Sequence, residues 1–241
     1  MYSTQRIDFN KARSVGEIFS CFWDFLTSEW RSYGLMLLFF VSPFSFAAAY
    51  FVVKWNYNVE TIISGDLTDK SLVLIGLSFF AKLFGQLVSC GYVHIYVSGG
   101  KIDFDAMKNY VLENFIQAFL ATVVFMLLLT VGFLCFFIPG IILLPALSML
   151  MYDVLFARQG YIAGVSRCFN LCRTNWKQSF AVVLLCYVAV ILFSSFFDVV
   201  IDDKFMLLYC LIVALASLVE EIIMIPFILL YYSLANQNLN L

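Results

Sequence analysis

Three charged residues stand out inside long apolar runs, Lys82, Glu220 and Glu221, and the run Phe115–Ala157 holds a single charge, Asp153, near its end. A charge at the centre of a bilayer costs about 2.5–3.5 kcal/mol on insertion scales, so such residues are functional candidates by default. Lys82 stands ten residues into the run Leu72–Val97, and the glutamates about fifteen into Phe205–Tyr232. At 1.5 Å per helical residue those depths are roughly 15 and 22 Å. If the two helices are neighbours, Lys82 can pair with Glu220 or Glu221. Adjacent glutamates point about 100° apart on a helix, so the second carboxylate would line a cavity. Pro226 would remove the hydrogen bond to the Ile222 carbonyl and kink the helix one turn beyond the carboxylates. Broken helices beside ionisable residues recur in transporters. Gln86 and Ser89 extend a polar stripe from Lys82, while Ala81, Gly85 and Ser89 make a small-residue face suited to close helix contact. Two roles fit this group: a pair that fixes helix packing, or a proton or solute path.

A second group is basic. Arg158, Arg167, Arg173 and Lys177 fall in one segment with no acid among them. Near an anionic leaflet each is worth about 1 kcal/mol, so the segment either docks anionic lipid headgroups or only sets topology. Cys168 and Cys172 are spaced i, i+4, but no nearby His or Cys pair would complete a metal site. His94, the single histidine, reads as interfacial. Gly99-Gly100 is too short for a phosphate cradle. With no nucleophile–base pair and no paired acids on an aqueous face, an enzyme is not expected, nor any metal or cofactor.

The elements that must position these residues follow from composition. Of 241 residues, 63% are hydrophobic and 12% charged, with a mean hydropathy of +0.94. An ordinary globular chain is roughly 45–50% apolar. The balance excludes a cytosolic enzyme, a disordered tail and a nucleic-acid module, and the net charge of −2 offers nothing to a polyanion. A spanning helix needs roughly 20 apolar residues. Candidates are Gly34–Val53, Leu72–Val97, Phe115–Phe137, Ile141–Ala157, Phe180–Phe197 and Phe205–Tyr232. The third and fourth come from one run, Phe115–Ala157, too long for one crossing. Its turn is expected at Ile138-Pro139-Gly140.

Orientation follows from Lys and Arg in short loops. With the N-terminus inside, ten (Arg6, Lys11, Arg13, Arg31, Lys101, Lys108, Arg158, Arg167, Arg173, Lys177) face the cytoplasm and three (Lys54, Lys70, Lys204) face out. Glu60, Asp66, Asp69, Asp198, Asp202 and Asp203 also fall outside. Both termini are therefore expected in the cytoplasm. No cleavable signal peptide is visible, and the first span would act as its own signal-anchor. The seven cysteines suit reduced, apolar side chains better than disulfides.

The chain also has a threefold pattern in which an amphipathic cytoplasmic helix leads into a pair of spans, over about 6–97, 101–157 and 160–232 of a single domain. In the first copy Ile18, Phe19, Phe22, Trp23, Leu26 and Trp30 recur at helical spacing, and Ser14 with Glu17 makes a capping box. In the third, Ile162, Val165, Phe169, Cys172 and Trp176 form the stripe. The middle copy keeps Phe104, Met107, Val111 and Phe115, and Lys101-Ile102-Asp103-Phe104 echoes Arg6-Ile7-Asp8-Phe9. Such helices would lie in the headgroup plane, aromatic side inward.

One order of features runs Gly91-Tyr92-Val93, Gly99-Gly100, an apolar helix, Ile138-Pro139-Gly140-Ile141, a second apolar helix, then Ser166-Arg167 and Trp176-Lys177. Over about residues 10–232 it resembles bacterial membrane proteins related to the membrane domain of glycerophosphodiester phosphodiesterases. In that family the membrane part accompanies a separate soluble catalytic domain or stands alone without assigned activity. No such domain lies in this chain, so phosphodiesterase chemistry is not implied. The label of carotene oxygenase, carried by some similar proteins, would need several iron-binding histidines, and this chain has one.

The resulting expectation is an all-α integral membrane protein of the bacterial inner membrane, with six spans in three hairpins, each hairpin preceded by an interfacial helix. Its role would be non-enzymatic, binding lipid (anionic lipid among the candidates) or a membrane protein partner, with no nucleic acid. The alternative is a small proton- or cation-coupled transporter using Glu220 or Glu221.

Overall fold

A computed structural model describes residues 11–55, 69–135, 137–158, 160–200 and 206–239, with side chains described except at 135–139, 142, 196–200 and 237–239. Among the described residues every regular element is helical: α1 Val15–Phe40, α2 Ser42–Lys54, α3 Asp69–Val97, α4 Phe104–Cys135, α5 Phe137–Ser148, α6 Leu150–Ala157, α7 Tyr161–Thr174, α8 Trp176–Val200, α9 Met206–Ile223 and α10 Ile225–Leu239. Four stretches are long and apolar enough to cross a membrane: Asp69–Val97, Phe104–Leu134, Trp176–Ser195 and Met206–Asn236. The bent pair α1–α2 makes a fifth if taken as one span, and Leu143–Ala157 is apolar but shorter. The protein is thus an all-α chain built to sit in a membrane. The expected Arg6–Phe9 echo, Glu60, Asp66, Asp202, Asp203 and Lys204 lie outside the described residues, as do the side chains of Cys135, Ile138, Pro139 and Asp198.

Helix α1 starts where the capping box requires. The Ser14 amide donates to Glu17 Oε2 at 2.7 Å, and the Glu17 amide donates to Ser14 Oγ at 3.4 Å. The helix then runs past Gly34 without a break, so the amphipathic stretch and the first half of the expected first span are one rod. It ends at Val41 because Pro43 has no amide to give and would clash with a carbonyl one turn back. Helix α2 departs from it at 50°. The expected span Gly34–Val53 therefore straddles a bend.

The core-facing side of α1 shares only Ile18 with the apolar stripe read from the sequence. Ile18, Cys21, Phe25, Tyr33 and Leu37 are buried, while Trp23 and Trp30 point outward. Phe25, Tyr33, Tyr92 and Tyr96 pack edge-on at centroid distances of 5.1–6.0 Å, a geometry that aligns positive ring edges with negative faces. Apolar side chains are equally at home against lipid, so periodicity alone does not separate the core face of α1 from a lipid-facing one. In the third copy the stripe shifts likewise: Ile162 and Phe169 are exposed, and Gly164, Cys168, Leu171 and Cys172 face the core.

Among the described residues, α7 is the amphipathic helix that stands separate from its span. In the first two copies the amphipathic stretch continues into α1 or α4, with Met107 and Val111 buried and Phe104 outward. Ile138-Pro139-Gly140, expected as a turn, are helical and belong to α5. There the backbones come close: a Cβ on Gly132 would lie 3.3 Å from Gly140 Cα. The expected fourth span, Ile141–Ala157, is interrupted at Met149, with Pro145 inside α5 one turn earlier. Pro226 acts as anticipated, since α9 stops at Ile223 and α10 resumes at Ile225. The N-terminal segment is fastened to the far end of the chain, where the Arg13 amide donates to Ser233 Oγ at 2.8 Å.

Candidate functional site

Helix α3 carries Lys82 and α9 carries the adjacent glutamates, so packing α3 against α9 determines the site. Lys82 Nζ donates to Glu220 Oε2 at 2.7 Å and lies 3.4 Å from Glu221 Oε1. The lysine contacts both carboxylates, where the sequence suggested a choice between them. The bend of the side chains overcomes the angle between adjacent positions. Glu220 Oε1 also accepts from Ser194 Oγ at 2.7 Å, which adds α8. Ser217 Oγ donates to Ser45 Oγ at 2.7 Å one turn earlier, fixing α9 on α2.

Glu221 is 2% exposed and fits because residue 85 is glycine: a Cβ there would stand 2.6 Å from Glu221 Cγ. The small-residue face of α3 thus seats a carboxylate as well as a helix. Pro226 and the break at Met224 follow directly, and the Glu221 carbonyl accepts from the Met224 amide at 3.2 Å, a tighter turn than an α-helix makes.

Lys82, Glu220, Glu221 and Gln86 all border a cavity of about 600 Å³. The rest of its wall is chiefly Leu, Ile, Phe, Met and Tyr from α3 to α10. Pockets of roughly 300–1,000 Å³ with apolar walls and a few convergent polar groups are the usual form of a small-molecule site. The Lys82 side chain is 47% exposed and that of Glu221 only 3%. The cation therefore faces the open volume and one carboxylate backs it.

A second buried carboxylate was only noted in the sequence as the lone charge of its apolar run. Asp153 is fully buried; its Oδ1 accepts from the Tyr231 hydroxyl at 3.0 Å and lies 3.3 Å from Arg167 Nε. Arg167 was assigned to the anionic-lipid face, but its guanidinium is turned inward and joins α7 to α6. Arg158, Arg173 and Lys177 remain exposed. Arg173 borders a smaller cavity of about 460 Å³ with Phe169, Cys172 and Trp176. Burial pushes the Cys172 thiol up to about 11 and that of Cys168 further, so neither is a nucleophile at neutral pH. Among the described residues no three His, Cys, Asp or Glu side chains come together as a metal site would need. His94 lies against Tyr110 and Phe156.

Two further polar contacts had no signal beyond residue type. The Tyr92 hydroxyl donates to Glu29 Oε2 at 2.7 Å, and the Tyr33 hydroxyl meets Ser89 Oγ at 2.6 Å. Each joins α1 to α3 across more than fifty positions of sequence. Comparison with family models, with curated proteins and with solved structures finds no match to this chain.

Proposed function

We propose that this is a non-enzymatic integral membrane protein that binds an amphipathic lipid in its central cavity. The observation that carries this reading is a chamber of about 600 Å³ with a mainly apolar wall, whose charged lining residues are the Lys82–Glu220–Glu221 group, with Gln86 beside them. An acyl chain suits the apolar wall, and a headgroup bearing an amine and a phosphate would find a carboxylate and an ammonium side by side. The reading carries with it six crossings in three hairpins, counting α1–α2 as one and α5–α6 as another. It also carries a bacterial inner-membrane location with both termini cytoplasmic. Arg158, Arg173 and Lys177 then face the anionic leaflet. The resemblance to the membrane domain of glycerophosphodiester phosphodiesterases agrees with a lipid-handling role without lending a catalytic site.

Mass spectrometry of the protein released from native nanodiscs tests this. A lipid retained in fixed stoichiometry is expected from wild type and lost in Ser78→Trp, which puts a large ring at the cavity wall. Bulk lipid alone in both would overturn the reading.

A second reading, proton- or cation-coupled transport through Glu220 or Glu221, draws on the broken α9–α10 junction beside the carboxylates. It requires Glu220→Gln or Glu221→Gln to abolish solute uptake in a folded protein.

A further inference from the structure

The smaller cavity where α7 meets α8 differs in chemistry from the central one. Phe169, Cys172 and Arg173 of α7, Trp176 at the start of α8 and Ala146 of α5 enclose about 460 Å³. Positions 169, 172 and 173 are spaced i, i+3 and i+4, so they share one face of α7. Trp176 continues the wall beyond the break at Asn175. Cys172 and Ala146 are buried, whereas Phe169 and Trp176 present ring surface outward.

The depth of this cavity in the membrane follows from the helices. The apolar stretch long enough to cross begins at Trp176 and runs to Ser195. Arg173 stands three residues before that boundary, which sets its guanidinium at headgroup level and Trp176 at the interface, where tryptophan is enriched. The exposed Ile162 and Phe169 of amphipathic α7 suit a helix lying along the same interface.

The charge balance is one-sided. Helix α5 carries no charged residue, and no Asp or Glu occurs between Asp153 and Asp198. Among the described residues Arg173 belongs to none of the ion pairs, while Arg167 is committed to Asp153. Lys177 adds positive charge beside the cavity without lining it. A guanidinium fork matches a phosphodiester through two parallel hydrogen bonds. An ammonium headgroup would meet Arg173 and Lys177 here and find no carboxylate on α5, α7 or the described side chains of α8. The central cavity, with Glu220 and Glu221, has the opposite preference.

We infer that the cavity between α5, α7 and α8 binds one anionic phospholipid, with its phosphodiester on Arg173 and an acyl chain against Phe169 and Trp176. No residue lines both cavities, so this site is separate from the central one and stands whether or not that one is filled.

The test uses Trp176 as a local reporter. Trp23, Trp30 and Trp55 are replaced by Phe, and the protein is reconstituted in phosphatidylethanolamine vesicles. A small fraction of phosphatidylglycerol brominated high in its acyl chains is then titrated in. Trp176 fluorescence should be quenched at a lower fraction of this lipid than of phosphatidylethanolamine brominated in the same way. At about 1 M salt the screening length falls to about 3 Å, so attraction to surface charge in general is suppressed. Under that condition Arg173→Gln should raise the fraction needed for half quenching about 10-fold, the low end for losing hydrogen bonds to a charged group. Arg173→Lys, which keeps the charge and loses the fork, should fall between Arg173→Gln and the parent protein. Lys177→Gln should match the parent. Arg173 is exposed, so these changes leave the core intact, and circular dichroism on each variant checks that the fold persists. Equal quenching by the two brominated lipids, or equal losses in Arg173→Gln and Lys177→Gln at high salt, would overturn the site. Because the readout is local to Trp176, lipid retained in or lost from the central cavity leaves it unaffected.

Discussion

Among the described residues two buried carboxylates, Asp153 and Glu221, meet a cation, and the surroundings of the two meetings differ. Asp153 is sealed: fully buried, held by Tyr231 and Arg167 at one oxygen, with its Oδ2 lacking a hydrogen-bond partner. Glu221 is equally buried but backs onto an open chamber, through a lysine that is half exposed. Asp153 does not border the cavity, so its pair with Arg167, whose side chain is 36% exposed, acts as a fastener. The same pair on a cavity wall can exchange one partner for a ligand or a proton. Identical residue chemistry thus yields a structural tie between α6, α7 and α10 in one place and a candidate site in the other.

The comparison breaks first at Arg167. If Asp153 is sealed, Arg167→Met strands a buried carboxylate and should cost about 3–5 kcal/mol, seen as an early unfolding transition in detergent. Arg167→Met combined with Asp153→Asn should recover most of that loss. A neutral Arg167→Met would place Asp153 in contact with solvent and erase the distinction.

Gly85→Ala probes the other side. The new methyl must displace Glu221, an overpacking that costs about 1–3 kcal/mol, and it should reduce lipid retention as well as stability. Loss of stability with unchanged retention would separate Glu221 from the cavity's function.

Lys82→Met should cost less, about 1–2 kcal/mol, because a half-exposed cation is already partly screened. Adding Glu220→Gln or Glu221→Gln should restore much of it, and the more effective partner identifies the tighter pair. The distances of 2.7 and 3.4 Å favour Glu220. A cost matching that of Arg167→Met would make both groups fasteners.

Smallest is Ser14→Ala, remote from both clusters. Losing the capping box should cost about 1 kcal/mol in thermal unfolding and leave lipid retention unchanged. Altered retention would tie the start of α1 to the cavity.

Much of this was legible in the residues themselves. A chain with 63% hydrophobic residues has too little polar surface to be coated by water, so helices of membrane length are forced. Ser14 with Glu17 encodes the start of α1, and Pro226 encodes the break after Glu221, because both act through local backbone geometry. That Lys82 could reach the glutamates also follows from counting along apolar runs, and the distances of 2.7 and 3.4 Å agree. Pro43 carried the same kind of local signal as Pro226, yet its bend was hidden by the uniform hydropathy around it.

Which face of each helix turns inward was decided by the tertiary structure. In a membrane, lipid and protein interior are both apolar, so Trp23 and Phe25 compete on equal terms for the core and only packing selects Phe25. The holding of Asp153 by Arg167 and Tyr231, and the separate contacts of Tyr92 with Glu29 and of Tyr33 with Ser89, depend on helices coming together. Their geometry exists only once α1, α3, α6, α7 and α10 have docked. Sequence sets the solvent in which this chain folds and the cost of each charge within it, whereas the close packing of helices determines which of those charges are sealed and which face a cavity.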